Sequence, residues 1–300
     1  MINLIASPTR SARREKLRLS RARRHLFAAS IVLLGVAVMT YPSLARWISE
    51  VNAENQVQGY VERIEQITPQ QRQTALTEAR EYNASSAGAL IVDPFSNTSD
   101  GGVPKLDEDA ELYLKMMNLT GDVMARIQVP AINLDLPIRH GATEEVLRSG
   151  VGHIYGSSLP VGGAGSRSVL TSHAGLPEAT LFSDLSQLVA GDTITIDALG
   201  ETLVYRVTQI ETIEPTAIER LLPEDGRDLI SLVTCTPIGV NSHRLVVTAE
   251  RIALDEAQGQ PTIPADGGAL IPLWAIALTP TIIVWGGFMV TFVRARRRTR

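Results

Sequence analysis

Two long stretches without a charged side chain bracket this chain, and they set the terms on which it folds. Leu26 to Ala45 is twenty residues and Gly267 to Val293 is twenty-seven. Either is long enough, at 1.5 Å per residue, to cross a hydrocarbon core of about 30 Å as a helix. Each abuts a basic end. Residues 1–25 carry eight Lys or Arg against one acid, Glu15, and residues 294–300 carry five Arg and no acid. Basic residues flanking a span stay on the cytoplasmic side. Both ends are therefore expected inside, with about 47–266 outside. The second run contains Pro272 and Pro280, which spanning helices tolerate, and Trp274 suits a membrane interface. The first run has another reading. Its basic lead and Ser43-Leu44-Ala45 also fit a cleaved signal peptide; its length and extended basic region favour an uncleaved anchor.

Between the runs the chain is acidic. The formal net charge is −4, but with the basic ends set aside residues 26–293 hold 15 basic and 31 acidic residues, a net −16. Such a body argues against nucleic acid as a partner. Cys235 is the single cysteine, so no internal disulfide can form, and an unpaired thiol outside the cell is a liability unless it has a use. No cluster of metal-ligand type is visible, and no cofactor is expected.

Residues 50–83 read as helical and polar, with Thr68 as N-cap, Pro69 at the first helical position and Gln71 completing a capping box. The plain reading of this stretch is a stalk. A loop follows through 84–105, containing Asp93-Pro94-Phe95, then a short helix at Asp107 to Asn118. From Gly121 the texture turns to β. Candidate strands are Val123 to Val129, Ile132 to Ile138, Ser168 to Ser172, Thr193 to Asp197, Thr202 to Ile213, Leu229 to Thr234 and His243 to Ala253. Short helices are expected at Thr143 to Gly150, Glu178 to Leu185 and Pro215 to Leu221. Strands at this spacing, separated by glycine-rich turns, predict a closed barrel or a sandwich.

The stretch from Ser231 to Val247 reads as strand, tight loop, strand. Cys235 ends the first strand and Arg244 opens the second. If the strands pair, thiol and guanidinium lie together at one end of a sheet, and a neighbouring cation favours the nucleophilic thiolate. The alternative is a cysteine that is only a small buried hydrophobe. His173 mirrors Cys235, since it too ends an apolar strand. By position His173, rather than His153, is the expected partner.

These residues resemble the sortases, most closely the pilus-assembling class C. The family's Thr-Leu-X-Thr-Cys stands here as Ser231-Leu232-Val233-Thr234-Cys235, with its arginine at Arg244. The family histidine lies in Leu170-Thr171-Ser172-His173-Ala174-Gly175-Leu176-Pro177, where Ser172 and Ala174 depart from the usual Gly-His-Arg-Gly-Leu-Pro. Gly150 to His153, Ser158 to Gly163 and Leu181 to Leu185 also match. Asp93-Pro94-Phe95 looks like the class C lid, in which Asp93 would face Arg244 and Phe95 would cover Cys235.

The resemblance implies a mainly β fold, a sortase-like closed barrel of about eight strands with short helices, an N-terminal helical segment and two transmembrane helices. The expected division is a basic cytoplasmic tail (1–25), a transmembrane helix (26–46), a helical stalk (47–83), a lid loop (84–106), the catalytic barrel (107–256), a linker (257–268), a second transmembrane helix (269–293) and a second basic tail (294–300). It further implies a cysteine transpeptidase that cleaves a Leu-Pro-X-Thr-Gly-like sorting signal after Thr. Cys235 would be the nucleophile, His173 the acid and base, and Arg244 the donor to substrate carbonyl. The acyl group would pass to a pilin lysine. The partners would be pilins or surface proteins carrying such signals, together with the membrane. A sortase that anchors proteins to the cell wall and a membrane-tethered cysteine hydrolase are the alternatives. An extracytoplasmic β-module without catalysis is a third.

Overall fold

The computed structural model describes residues 10–86, 108–254, 256 and 273–297. Residues 87–106 of the expected lid loop, Asp93, Pro94 and Phe95 among them, lie outside the described residues, whereas residues 84–86 end a helix rather than begin a loop. Helix α1 (Arg10–Gln66) runs on from the apolar stretch without a break and contains Pro42. Helix α2 (Pro69–Ser86) follows. Its start is the expected capping box: the Thr68 N–H donates to Gln71 Oε1 at 3.1 Å, and the Gln71 N–H donates to Thr68 Oγ1 at 3.3 Å.

Two compact units can be distinguished, residues 1–45 with 269–300, and residues 46–268. In the first, the indole N–H of Trp285, on the C-terminal helix Leu273–Arg297, donates to Ser30 Oγ at 3.3 Å. Among the described residues one helical stretch, Arg23–Gln66, is long and apolar enough to cross a membrane. None of its most apolar window is buried, and Phe27, Leu34 and Met39 are exposed, so it is not the core helix of a soluble domain. Among the described residues the apolar stretch of the C-terminal helix is Ile282–Arg294. Among the described residues one of the two expected spans meets the length criterion.

The second unit is built on a closed barrel. Its strands are β1 (Val123–Val129), β2 (Leu134–His140), β3 (Val151–His153), β4 (Ser166–Thr171), β5 (Thr193–Ala198), β6 (Glu201–Ile213), β7 (Asp228–Thr236) and β8 (His243–Ile252). They close in the order β1-β2-β3-β4-β7-β8-β6-β5. β2 with β3 and β4 with β7 are parallel; the other pairs are antiparallel. Strand β3 has three residues, too few to show an alternating pattern, which is why only seven strands are legible in the sequence. Along each strand alternate residues enter the barrel. Ile127, Leu170, Ile196, Leu232 and Val247 are fully buried in the resulting core.

The segment expected to be a stalk is packed against this barrel. Ala53, Val57, Tyr60 and Ile64 repeat at helical spacing on α1 and are buried, as are Leu76 and Ala79 on α2. The Tyr60 hydroxyl accepts from the Leu199 N–H at 2.7 Å and donates to the Asp197 carbonyl at 3.2 Å. Arg80 pairs with Glu201 at 2.6 Å, and Asn83 exchanges two hydrogen bonds with the Leu159 backbone.

Helices α3 (Glu108–Lys115) and α4 (Glu144–Ser149) form near their expected positions. The helix expected at Glu178 to Leu185 does not form. There Leu181 takes a left-handed backbone, the Phe182 N–H donates to the His173 carbonyl at 3.0 Å, and Phe182 and Leu185 are buried in the barrel core. Of the helix expected at Pro215 to Leu221, a 3-10 turn at Ile218–Leu221 is present.

Candidate active site

The site is assembled on the outer face of β4, β7 and β8. On β7, Ile230 and Leu232 enter the main core, whereas Val233 belongs to a smaller apolar cluster with Ile154, Val169, Leu221 and Val246. Ser231 and Cys235 share the face of Val233 by the two-residue alternation. On β8 the same argument puts Arg244 with Val246. Cys235 and Arg244 are direct register partners on antiparallel strands, an arrangement that holds Cβ atoms about 5 Å apart. Both are buried, Cys235 to 9% exposure and Arg244 to 5%. The guanidinium donates to the carbonyls of Asn241 and His243, both at 3.1 Å.

His173 reaches this face from the parallel neighbour. Thr171 of β4 pairs with Val233 of β7, so two residues further along each chain His173 comes level with Cys235. The strand ends are tied there. The Thr171 hydroxyl donates to the Val233 carbonyl at 3.0 Å, and the Thr234 hydroxyl donates to the Ser172 carbonyl at 2.8 Å. The structure therefore brings the three sequence-predicted residues of the triad to one end of one sheet face.

Each residue of the Ser-Leu-Val-Thr-Cys run acquires a physical task. Ser231 Oγ accepts from buried Arg167 at 3.1 Å. Leu232 fills the core, Val233 lines a pocket, Thr234 ties the strand to the histidine loop, and Cys235 is the thiol. Ser172, where the resemblance expects Gly, donates to the Gly150 carbonyl at 2.6 Å and so pins the histidine loop to the end of α4. Gly175 takes φ +78°, and a Cβ there would lie 2.2 Å from Ile238 Cγ2. Glycine is needed for both reasons.

Glu144, the first residue of α4, was not singled out by the sequence. His173 Nε2 lies 3.0 Å from Glu144 Oε2. A carboxylate only accepts, so this ring nitrogen carries the hydrogen. Partial burial raises the Glu144 pKa, but the hydrogen bonds from Arg148 and His173 outweigh it and leave the carboxylate below its ordinary range. The only signal in the sequence is the Glu144-to-Arg148 helical spacing; the contact with His173, twenty-nine residues away, is tertiary. His153, the rejected candidate, is fully buried between the Tyr113 hydroxyl and the Ser158 carbonyl.

Beside Arg244 a small apolar pocket opens between the barrel and the β6–β7 connection. Ile154, Ile213, Ile218, Leu221 and Val233 line it, with Arg244 at one side. A buried thiol, an imidazole carrying a proton, a guanidinium and an apolar pocket can together bind a peptide and transfer its acyl group. Among the described residues no His, Cys, Asp or Glu cluster is arranged to hold a metal ion.

A sequence model of the Sortase domain matches residues 127–252. The chain is 32% identical over 158 residues to Sortase A of Bacillus anthracis, a match that covers 53% of this chain and 71% of that protein. In structure it is similar to sortase C-1 from Actinomyces oris, with 43% identity, a TM-score of 0.57 and coverage of 61% of this chain and 99% of the other. It is also similar to Sortase A from Corynebacterium diphtheriae, with 40% identity, a TM-score of 0.60 and coverage of 68% and 94%.

Proposed function

The chain belongs to the sortase family of cysteine transpeptidases, and on that footing we propose that it cuts a Leu-Pro-X-Thr-Gly-like sorting signal after Thr and passes the acyl group to a pilin lysine. The observation that carries this reading is the register pairing of Cys235 with Arg244 beside the strand that delivers His173.

A free thiol has a pKa of about 8.5 and is mostly protonated at neutral pH. Arg244, and His173 as imidazolium, favour the thiolate. The Cys235 sulfur attacks the peptide carbonyl, the carbon–nitrogen bond breaks, and His173 protonates the departing amine. Arg244 donates to the substrate carbonyl as negative charge develops on it; losing one such donor typically costs about a hundredfold or more in rate. The incoming amine gives a proton to His173, attacks the thioester and releases Cys235. The apolar pocket beside Arg244 suits an aliphatic side chain of the sorting signal.

The pilin reading is supported by similarity to a sortase C-1, by Asp93-Pro94-Phe95 in the place of a class C lid, and by the second apolar run before a basic end. On this reading both ends are cytoplasmic and the barrel faces outward. Similarity of nearly the same degree to a Sortase A favours a second reading, in which the acyl acceptor is a cell-wall precursor.

Purified protein, offered a sorting-signal peptide with a pilin-derived lysine peptide or a wall-precursor amine, decides between them. Polymer-type product with the first amine only supports the pilin reading; transfer to the second only overturns it. Release of free acid at the same rate with and without hydroxylamine points to a hydrolase. Cys235→Ala is expected to abolish transfer while the barrel stays folded, and retained transfer would sink the assignment.

A further inference from the structure

Arg167 stands on β4 but none of its contacts so far described serves the chemistry. It is 3% exposed, and alternation puts it on the outer face with Val169. One terminal nitrogen donates to the Arg220 carbonyl and to Ser231 Oγ, both at 3.1 Å; the other donates to Glu224 Oε1 at 2.5 Å. Arg220 and Glu224 both belong to the β6–β7 connection, residues 214–227. The same connection supplies Ile218 and Leu221 to the pocket beside Arg244. Glu224 also pairs with Arg227, which in turn holds Glu250 of β8 at 2.7 Å, and Arg220 holds Glu211 of β6 at 2.5 Å.

Here Glu224, itself half-exposed, and the Arg220 carbonyl are partners of the buried Arg167 guanidinium, so lifting the connection leaves a buried charge with fewer partners. The residues that line the pocket and those that pair with the guanidinium thus lie on the same connection. Through Ser231 the same guanidinium is joined to the strand that carries Cys235.

We propose that Arg167 is a positioning residue for substrate recognition, clamping the β6–β7 connection so that the apolar pocket is formed before the sorting signal arrives. This rests on the reading, given above, that the pocket takes an aliphatic side chain. A preformed pocket spares the substrate the cost of ordering a loop. If the clamp is weakened until the closed form is present about a tenth of the time, apparent affinity falls roughly tenfold while the chemical step is unchanged.

The test uses two variants, Glu224→Gln, at a half-exposed position, and Arg167→Lys, which keeps the charge and loses the fork. Hydrogen exchange in residues 214–227 of the substrate-free protein is expected to accelerate, with the rest of the barrel unchanged. KM for a Leu-Pro-X-Thr-Gly peptide is expected to rise about tenfold, with kcat and alkylation of Cys235 by iodoacetamide within about twofold; the peptide with Ala for Leu should lose much less. Unchanged exchange in both folded variants overturns the clamp. Faster exchange with unchanged KM overturns its role in recognition. If the unmodified protein shows the same KM for the Leu and Ala peptides, the pocket reading itself fails, and the proposal with it, whatever the exchange shows.

Discussion

The hydroxyl of Thr234 donates to the carbonyl of Ser172 at 2.8 Å, so the residue before the nucleophile is tied to the residue before the histidine. The two chemical groups come from parallel strands sixty-two residues apart in sequence, and this bond, with that from the Thr171 hydroxyl to the Val233 carbonyl, limits how far one strand end can shift against the other. Thr234→Val keeps the β-branched shape and removes the donor, leaving a buried carbonyl with one partner fewer. Stability is expected to fall by about 1–2 kcal/mol. Acylation should fall more than that loss suggests, by roughly tenfold to a hundredfold, because small displacements at a reacting pair are costly. Denaturant unfolding and single-turnover acylation separate the two effects; equal losses would mean that the bond is only structural.

Glu144 orients the His173 ring through Nε2. Glu144→Gln is expected to lower kcat several-fold to about tenfold with KM near its original value, since an amide holds the ring less firmly than a carboxylate. Arg148→Ala, which removes a half-exposed neighbour of Glu144, should have a much smaller effect. Steady-state kinetics of the two variants side by side check this, and equal effects would make the Glu144 contact an ordinary surface pair.

Gly175 faces Ile238 across the junction of the histidine loop and the β7–β8 loop. Gly175→Ala adds both a close contact and a strained φ, and is expected to cost roughly 1–3 kcal/mol and to slow acylation. Ile238→Ala relieves the contact but not the backbone. The double variant should therefore recover part of the loss, as measured by thermal unfolding; full recovery would show that the backbone carries no strain.

The buried imidazole of His153 predicts an acid limb in stability. Its Nε2 lies 2.8 Å from the Ser158 carbonyl and its Nδ1 lies 3.0 Å from the Tyr113 hydroxyl, in a site that, among the described residues, holds no carboxylate against the ring. Burial pushes its pKa down from 6.5 to about 4, and burial also lowers that of His140. Well above pH 6.5 neither folded nor unfolded chain is protonated at His153, and its contribution is intact. As pH falls from 6.5 towards 4 the unfolded chain takes up the proton first, so stability is lost across that window. The thermal midpoint should drop between pH 7 and pH 4.5, and His153→Gln should flatten that drop; an unchanged slope would assign it to other groups.

Much of the site was readable along the chain because its parts are local. An apolar strand that ends in Cys235, a turn-rich loop and a strand opening with Arg244 imply a hairpin, and the hairpin register does pair the two residues. Tyr60 and its neighbours repeat every three or four residues, so the buried stripe of α1 was present in the sequence, yet polar composition suggested a free stalk. What the stripe packs against is a property of the barrel. The Glu178-to-Leu185 helix failed for the same reason: Leu181, Phe182 and Leu185 have helical spacing, but the core claims Phe182 and Leu185 more strongly than the backbone favours a helix.

The sequence by itself determined the apolar run of α1, the β character of the body, the capping box at Thr68 and the hairpin that joins Cys235 to Arg244, because each depends on residues a few positions apart. Only the tertiary structure decided that β4 lies parallel beside β7, that Glu144 holds His173 and that Arg167 reaches under the β6–β7 connection to Glu224. Those contacts join residues 62, 29 and 57 positions apart. Barrel closure brings them together, and no local periodicity records it.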